Sequence, residues 1–255
     1  MEADEYTRLA EQEDRLWWFQ VLRRNLFAIF DRVGLETTLR CLDLGSGTGG
    51  LVALLRDRYP KWDIHGMDRS SAALRYASQK FGPLFCGGDA AMLPFRDRSF
   101  DLVISIDVLY IREVNDKRML TECLRVLAPG GLLVLNNPAY DWMFSYHDRF
   151  VHTARRYTRR RIVRDLRSAG LEPVLTSYWN TILFPLMVLK RKVFTFGADK
   201  SDVHETPSLM NRAFSFVTRP EAICLRRGLS LPFGGSVLAV ARKPVQAGMS
   251  AGQRS

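Results

Sequence analysis

The sequence predicts an α/β fold: a seven-stranded, mostly parallel sheet with helices on both faces. Short apolar runs alternate with amphipathic segments of about 10–15 residues, which is the pattern of βαβ units. A glycine-rich turn joins the first such run to the first such helix, and an irregular stretch delays the last strand. Ahead of the alternation, Leu9, Trp18, Val21, Leu22, Leu26, Ile29 and Phe30 recur near helical spacing, giving one or two amphipathic helices as an N-terminal cap over residues 1–35.

From there, "LRCLDL" reads as a strand and "GGLVALLRDRY" as a helix stopped by Pro60. "KWDIHGMD" is a strand, and "SSAALRYASQKF" a helix with serines at its start and Gly82 at its end. "PLFCGGD" and the more apolar "FDLVISIDVLY" are strands, "DKRMLTECLRVL" is a helix, and "LLVLNN" the fifth strand. "TRRRIVRDLRSAG" then reads as a helix, "LEPVLTSYW" as a strand and "GGSVLAVARKP" as the last strand. Between those two strands lies a poorly patterned stretch too long for a simple loop, so a partly helical insertion is expected over about residues 180–232 of a main domain spanning 36–245. The tail 246–255 lacks periodicity and reads as disordered.

A hydrophobic fraction of 47% and a charged fraction of 25% are those of a globular chain with an ample core. The net charge of +10 points toward anionic partners. Cys41, Cys86, Cys123 and Cys224 lie far apart with no C-x-x-C pair, which argues against a zinc site or a secreted disulfide framework, and no metal is expected. The acidic N-terminus does not read as a signal peptide, and "TILFPLMVL" is about half the ~20 apolar residues of a membrane span. A cytoplasmic location is expected.

Gly45, Gly47, Gly49 and Gly50 let the chain turn sharply and admit a ligand to its main chain, opposite the unpaired N–H groups of the next helix. Gly45, Gly47 and Gly50 fit the dinucleotide fingerprint G-x-G-x-x-G, with Asp68 about 20 residues on. Asp43 separates the alternatives. Its carboxylate would repel a pyrophosphate and attract an ammonium or sulfonium group.

"LDLGSGTG" resembles motif I of the class I S-adenosylmethionine-dependent methyltransferases, which share a Rossmann-like sheet. "GMDRSSAAL", "GDAAMLPFRDRSFDLVIS" and "LRVLAPGGLLVL" resemble later segments of the same family, in order, over about 100 residues. The resemblance implies S-adenosyl-L-methionine as cofactor. It places Asp43 near the methionine end, with Gly45, Ser46, Gly47 and Gly49 lining that end and the sugar. It gives Asp68 the ribose hydroxyls with Arg69 beside it, puts Asp89 and Ala90 at the adenine, and leaves Asp107 bordering the cofactor after the fourth strand. Many relatives carry Glu-His shortly after that strand; here stand Tyr110 and Ile111, so no catalytic histidine falls there.

An oxygen nucleophile benefits from a base of near-neutral pKa. His65 reads as structural and His204 lies in the insertion. His147 and His152 follow the fifth strand in "NNPAYDWMFSYHDRFVHTARRYT", similar to a bacterial subgroup with an N-terminal "WWF..RR". His147 is the candidate base, with His152, Tyr146 and Tyr157 as others. The run from Arg149 to Arg167 holds eight arginines and one acid: either a solvated helix face or, through Arg155 and Arg156, a phosphate or carboxylate site. Trp17, Trp18 and Phe19 form either a lid over the cofactor or the core side of the first helix.

The sequence therefore predicts a methyltransferase, with O-methylation of a small-molecule, sugar or lipid-linked acceptor. The alternatives are a nucleic-acid methyltransferase, for which no N-P-P-Y motif or RNA-binding module is seen, and a non-catalytic S-adenosylmethionine sensor. Residues 181–196 set an apolar stretch against Lys190, Arg191 and Lys192, suggesting peripheral membrane contact, a pocket cover or a homodimer face.

Overall fold

The structure is a computed structural model describing residues 16–145, 148–149, 152–193 and 207–245. Its seven strands are β1 (Arg40–Leu44), β2 (Asp63–Asp68), β3 (Phe85–Gly87), β4 (Phe100–Ile106), β5 (Leu127–Pro138), β6 (Glu172–Trp179) and β7 (Ser236–Arg242). They form one sheet in the order β3-β2-β1-β4-β5-β7-β6. The first five are parallel, and β7 runs antiparallel to both β5 and β6. Parallel strands covered on both sides bury both sets of side chains, which is why β1 and β4 read as nearly continuous apolar runs.

The period of two sorts those side chains into two cores. Leu42, Leu44, Val103, Leu133 and Leu135 point into one, with Met119, Cys123, Ile162 and Leu166 of the helices α4 (Asp116–Val126) and α5 (Arg159–Ser168). Cys41, Leu102, Ile104, Val134 and Leu238 point into the other, where α1 (Trp17–Val33) lays Val21, Leu22, Leu26 and Ile29 against them. Gly34 closes α1 in the left-handed region at φ 65°, donating to Phe30 O as a helix cap that a side chain would strain.

Helices α2 (Gly50–Arg58) and α3 (Ser71–Phe81) complete the βα alternation. Ser70, Asn115 and Thr158 cap α3, α4 and α5, each side chain accepting from the backbone N–H three residues on and satisfying a first-turn donor.

The stretch before β7 carries three helices among the described residues: α6 (Phe184–Val193), α7 (Ser208–Val217) and α8 (Arg219–Arg226). Several contacts fasten it to the body, two of them clusters of hydrogen bonds. Arg24 of α1 donates to Ser215 O (2.8 Å) and Thr218 Oγ1 (2.9 Å). The buried Glu221 carboxylate accepts from the backbone N–H groups of Asn180 (2.6 Å), Thr181 (2.9 Å) and Ile182 (3.0 Å), holding the exit from β6.

One element is shorter than the sequence suggests. The apolar run from Phe100 to Tyr110 pairs only as far as Ile106, because Asp107 turns to φ 57°, a left-handed conformation that no strand continues through. That turn lifts residues 107–110 over the end of the sheet.

Candidate functional site

The crossover leaving β1 runs toward β2 and the one leaving β4 runs toward β5, in opposite directions, so a crevice opens between the carboxyl ends of β1 and β4. The glycine loop fills that position. Gly45, Gly47 and Gly49 have φ of 86°, 51° and 82°, values that side-chain-bearing residues rarely adopt. Gly45 N and Ser46 N both donate to Met67 O (2.7 and 2.9 Å), and Gly47 N donates to Asp68 Oδ2 (2.8 Å). The loop is thereby fixed to the end of β2. Side chains at Gly49 or Gly66 would strike the Phe85 ring, which packs under the loop, and one at Gly45 would overlap Val108. Gly47 differs: the space beside it is open.

Asp68 also accepts from Ser70 N through Oδ1 (2.8 Å). Each carboxylate oxygen takes about two hydrogen bonds, so both retain acceptor capacity toward a ligand. Ser46 Oγ is buried with no hydrogen-bond partner among the described residues. Asp43 is 2% exposed within β1; burial, and then the Asp43 charge, push the Cys41 thiol well above its usual range. Asp89 follows β3, where Gly88 N donates to Asp68 O (3.2 Å), and its Oδ1 accepts from Ala91 N (2.8 Å); Ala90 is buried. Arg69 is exposed. An orphaned hydroxyl, open space at Gly47, and spare acceptors on Asp68 fit a ligand carrying sugar hydroxyls.

Asp107 closes the crevice from the β4 side, since its neighbour Val108 is what meets Gly45. Its N–H donates to Asn136 O (3.0 Å), and its Oδ1 accepts from Asn136 Nδ2 (3.0 Å). Asn136 Oδ1 in turn accepts from Trp179 Nε1 (2.7 Å). Burial pushes the Asp107 carboxyl up to about 7, against the Asn136 hydrogen bond and the charge of Arg156. Nothing in the sequence pattern around Trp179 marks it as a member of this site. Asn136 is marked only by "NN" near the carboxyl end of β5, two polar residues closing an apolar strand.

The structure thus brings Asp43, Gly45, Ser46, Gly47, Gly49, Asp68, Asp89, Ala90 and Asp107 to the carboxyl ends of the parallel strands. The catalytic candidates are placed differently. Residues 146 and 147 lie outside the described residues, and with them Tyr146 and His147; His204 also lies outside. His152 is exposed, with Nδ1 3.5 Å from Glu113 Oε1. Tyr157 is fully buried with its hydroxyl donating to Leu109 O (3.3 Å), and burial raises its pKa far out of a base's range; it is a core tyrosine. His65 sits on the surface side of β2 with Nε2 2.9 Å from Asp63.

The phosphate-site reading of the arginine run is corrected. Arg156 is 4% exposed and forks onto the 2%-exposed Asp148: Nε to Oδ1 and Nη2 to Oδ2, both 2.9 Å. Its Nη1 donates to Ala139 O (2.9 Å), so it clamps the segment after β5 instead of facing a ligand. Arg155 pairs with Asp116 at 3.0 Å. Trp18 packs on Trp179 with ring centroids 5.5 Å apart, and Trp17 meets Phe214 at 5.5 Å, so this pair faces the body and insertion and forms no lid.

Architecture and crevice together are those of the class I S-adenosylmethionine-dependent methyltransferase fold. Residues 42–135 match the methyltransferase domain family described as Methyltransf_11. The demethylmenaquinone methyltransferase of Thermotoga maritima is 42% identical over 99 residues, covering 38% of this chain and 42% of that protein. The malonyl-[acyl-carrier protein] O-methyltransferase 1 of Coxiella burnetii is 36% identical over 109 residues, covering 43% and 37%. The matches therefore span about two-fifths of those relatives' length. A structure solved as a complex with the Haloferax volcanii Trm112 methyltransferase activator superposes with a TM-score of 0.63 at 23% identity, covering 95% of this chain and 98% of that one.

Proposed function

We propose that this chain is an S-adenosylmethionine-dependent methyltransferase acting on a small-molecule or lipid-linked acceptor, with oxygen as the methylated atom. The observation that carries the reading is the glycine loop fixed to Asp68, with the Ser46 hydroxyl left unpaired and open space at Gly47. The acceptors named for matching relatives, among them demethylmenaquinone, malonyl-[acyl-carrier protein] and fatty acid, support a small or lipid-like acceptor. When bound, S-adenosylmethionine supplies an electrophilic methyl group. The chain's part is to hold that group and the acceptor in line, since such a displacement depends mainly on alignment. Asp68 would bind the ribose hydroxyls, the unpaired Ser46 hydroxyl the methionine end, and Asp89 the adenine amino group.

Calorimetric titration with S-adenosylmethionine tests it. No atom lies within 4 Å of a Cβ placed at Gly47, so Gly47→Arg meets backbone strain at φ 51° but no clash at its Cβ. It should abolish binding with the circular dichroism of the folded chain retained, and unchanged affinity in that variant overturns the cofactor site. A screen of labelled cofactor against phenols, hydroquinones, fatty acids and acyl thioesters then tests turnover.

A specific patch supports acceptor delivery from a lipid surface on the cytoplasmic side of a membrane. Trp142, Phe144, Ile182, Leu186, Leu189 and Phe233 are all exposed. Ring contacts of Tyr140 with Trp142 and Phe184, and of Phe184 with Phe233, join Trp142 and Phe233. No helix among the described residues is long and apolar enough to cross a membrane. Arg191 does not serve as a lipid-facing cation: it donates to Met143 O (2.9 Å) and lies 3.8 Å from Asp148. Binding should therefore rest on apolar insertion, and Leu186→Glu/Leu189→Glu should release the chain from phosphatidylglycerol vesicles in co-sedimentation. Wild-type protein that stays in the supernatant ends this reading.

A further inference from the structure

The Asp107–Asn136–Trp179 chain has an orientation that chemistry alone fixes. Trp Nε1 is only a donor, so the Asn136 atom facing it at 2.7 Å must be the carbonyl oxygen. The amide nitrogen is then forced toward Asp107, where it donates to Oδ1. Trp179 is fully buried and backed by Trp18, so the amide is held in place. The second oxygen, Oδ2, has no donor among the described residues. An oriented, half-satisfied carboxyl thus stands beside the glycine loop, at the carboxyl end of β4.

We propose that Asp107 is the group that takes the proton from the methyl acceptor, with Asn136 and Trp179 as its positioning residues, and that the acceptor is accordingly a neutral, weakly acidic hydroxyl of the phenol or hydroquinone class, not a carboxylate. This rests on the methyltransferase reading above. In the step, the acceptor hydroxyl gives its proton to Asp107 Oδ2 while its oxygen forms the bond to the methyl carbon. The carbon–sulfur bond breaks with its electron pair remaining on sulfur, leaving a neutral thioether. A carboxylate acceptor needs no base and would meet an ionised Asp107 as a like charge.

The surrounding groups fit this role. Arg156 opposes the rise of the Asp107 pKa, while burial first, and then the charges of Asp107 and Asp148, hold the Tyr110 hydroxyl protonated. Asp43 is the buried carboxylate of the neighbouring β1, paired in register with Ile104. With burial dominating, Asp107 comes to about 7, near the value at which a base works at neutral pH.

Two measurements test the proposal. The first needs no acceptor. A carboxyl raised from its usual value to about 7 makes the folded chain lose stability as pH rises through that window. Asp107→Asn keeps the acceptor for Asn136 and removes the charge. It should raise the melting temperature at pH 8 by several degrees more than at pH 5; equal shifts at the two pH values overturn the ionisation. The second uses 1,4-dihydroxynaphthalene kept reduced and, in parallel, a long-chain fatty acid. Wild type should methylate the hydroquinone, with kcat/KM rising to a plateau through about pH 7. Asp107→Asn should lose about 10²–10⁴-fold in kcat with S-adenosylmethionine affinity within tenfold of wild type. Asn136→Ala removes the hydrogen bond that favours the charged form and should move the inflection to higher pH. Methylation of the fatty acid alone, of neither probe, or undiminished turnover in Asp107→Asn overturns the proposal. Failure of wild type to bind S-adenosylmethionine would instead remove the function on which it rests.

Discussion

Removing Arg156 should be among the most destabilising single changes in this chain. Arg156 and Asp148 are 4% and 2% exposed, and two parallel hydrogen bonds of 2.9 Å join them. Asp148 also accepts from Ser145 N (2.7 Å), and Arg156 N donates to Asp141 Oδ1 (2.8 Å), so the pair ties together both ends of the segment after β5. Burial holds the guanidinium below its usual pKa, followed by repulsion from Arg191, against the pull of Asp148. Arg156→Met keeps the aliphatic volume and leaves the Asp148 carboxylate buried without its fork. Breaking such a pair costs about 3–5 kcal/mol. Arg191, 3.8 Å from Asp148, supplies some compensation, which places the expected loss near the lower end, about 3 kcal/mol. Asp148→Leu should cost more, because it leaves Arg156 and Arg191 as adjacent like charges. The double variant should cost less than the sum of the two. Urea unfolding of the four proteins, read as a double-mutant cycle, measures the coupling. A loss below about 1 kcal/mol in Arg156→Met would refute the clamp and return Arg156 to the surface.

Two other changes separate site from scaffold. Asp68→Ala removes the acceptor for Gly47 N and Ser70 N and should weaken S-adenosylmethionine by about 1–3 kcal/mol in titration at fixed salt, the range for hydrogen bonds to a charged group. Tyr157→Phe should lower stability by about 1 kcal/mol through loss of the bond to Leu109 O and leave turnover within twofold, which steady-state kinetics would check.

The parts of this protein that sequence determined are those whose causes lie within a few residues. The glycine loop needs left-handed backbone at Gly45, Gly47 and Gly49, and only glycine adopts it without strain, so the turn is written where it occurs. The strand–helix alternation is equally local, because period and burial are set by each segment's own apolar spacing. Asp43 was legible from its place two residues before that loop, and Asp68 only through the spacing of about 20 residues that a βαβ unit imposes. Tertiary structure decided what depends on partners. Trp179 meets Asn136 from 43 residues away, and nothing in either neighbourhood announces the contact. An arginine such as Arg156 reads from sequence as solvated or ligand-binding, because burial is a property of the packing around it and not of its neighbours in the chain. Asp107 shows both limits. Its position after β4 was visible, but the turn that ends the strand, the amide that orients its carboxyl and the burial that raises its pKa all come from elements brought together by the fold.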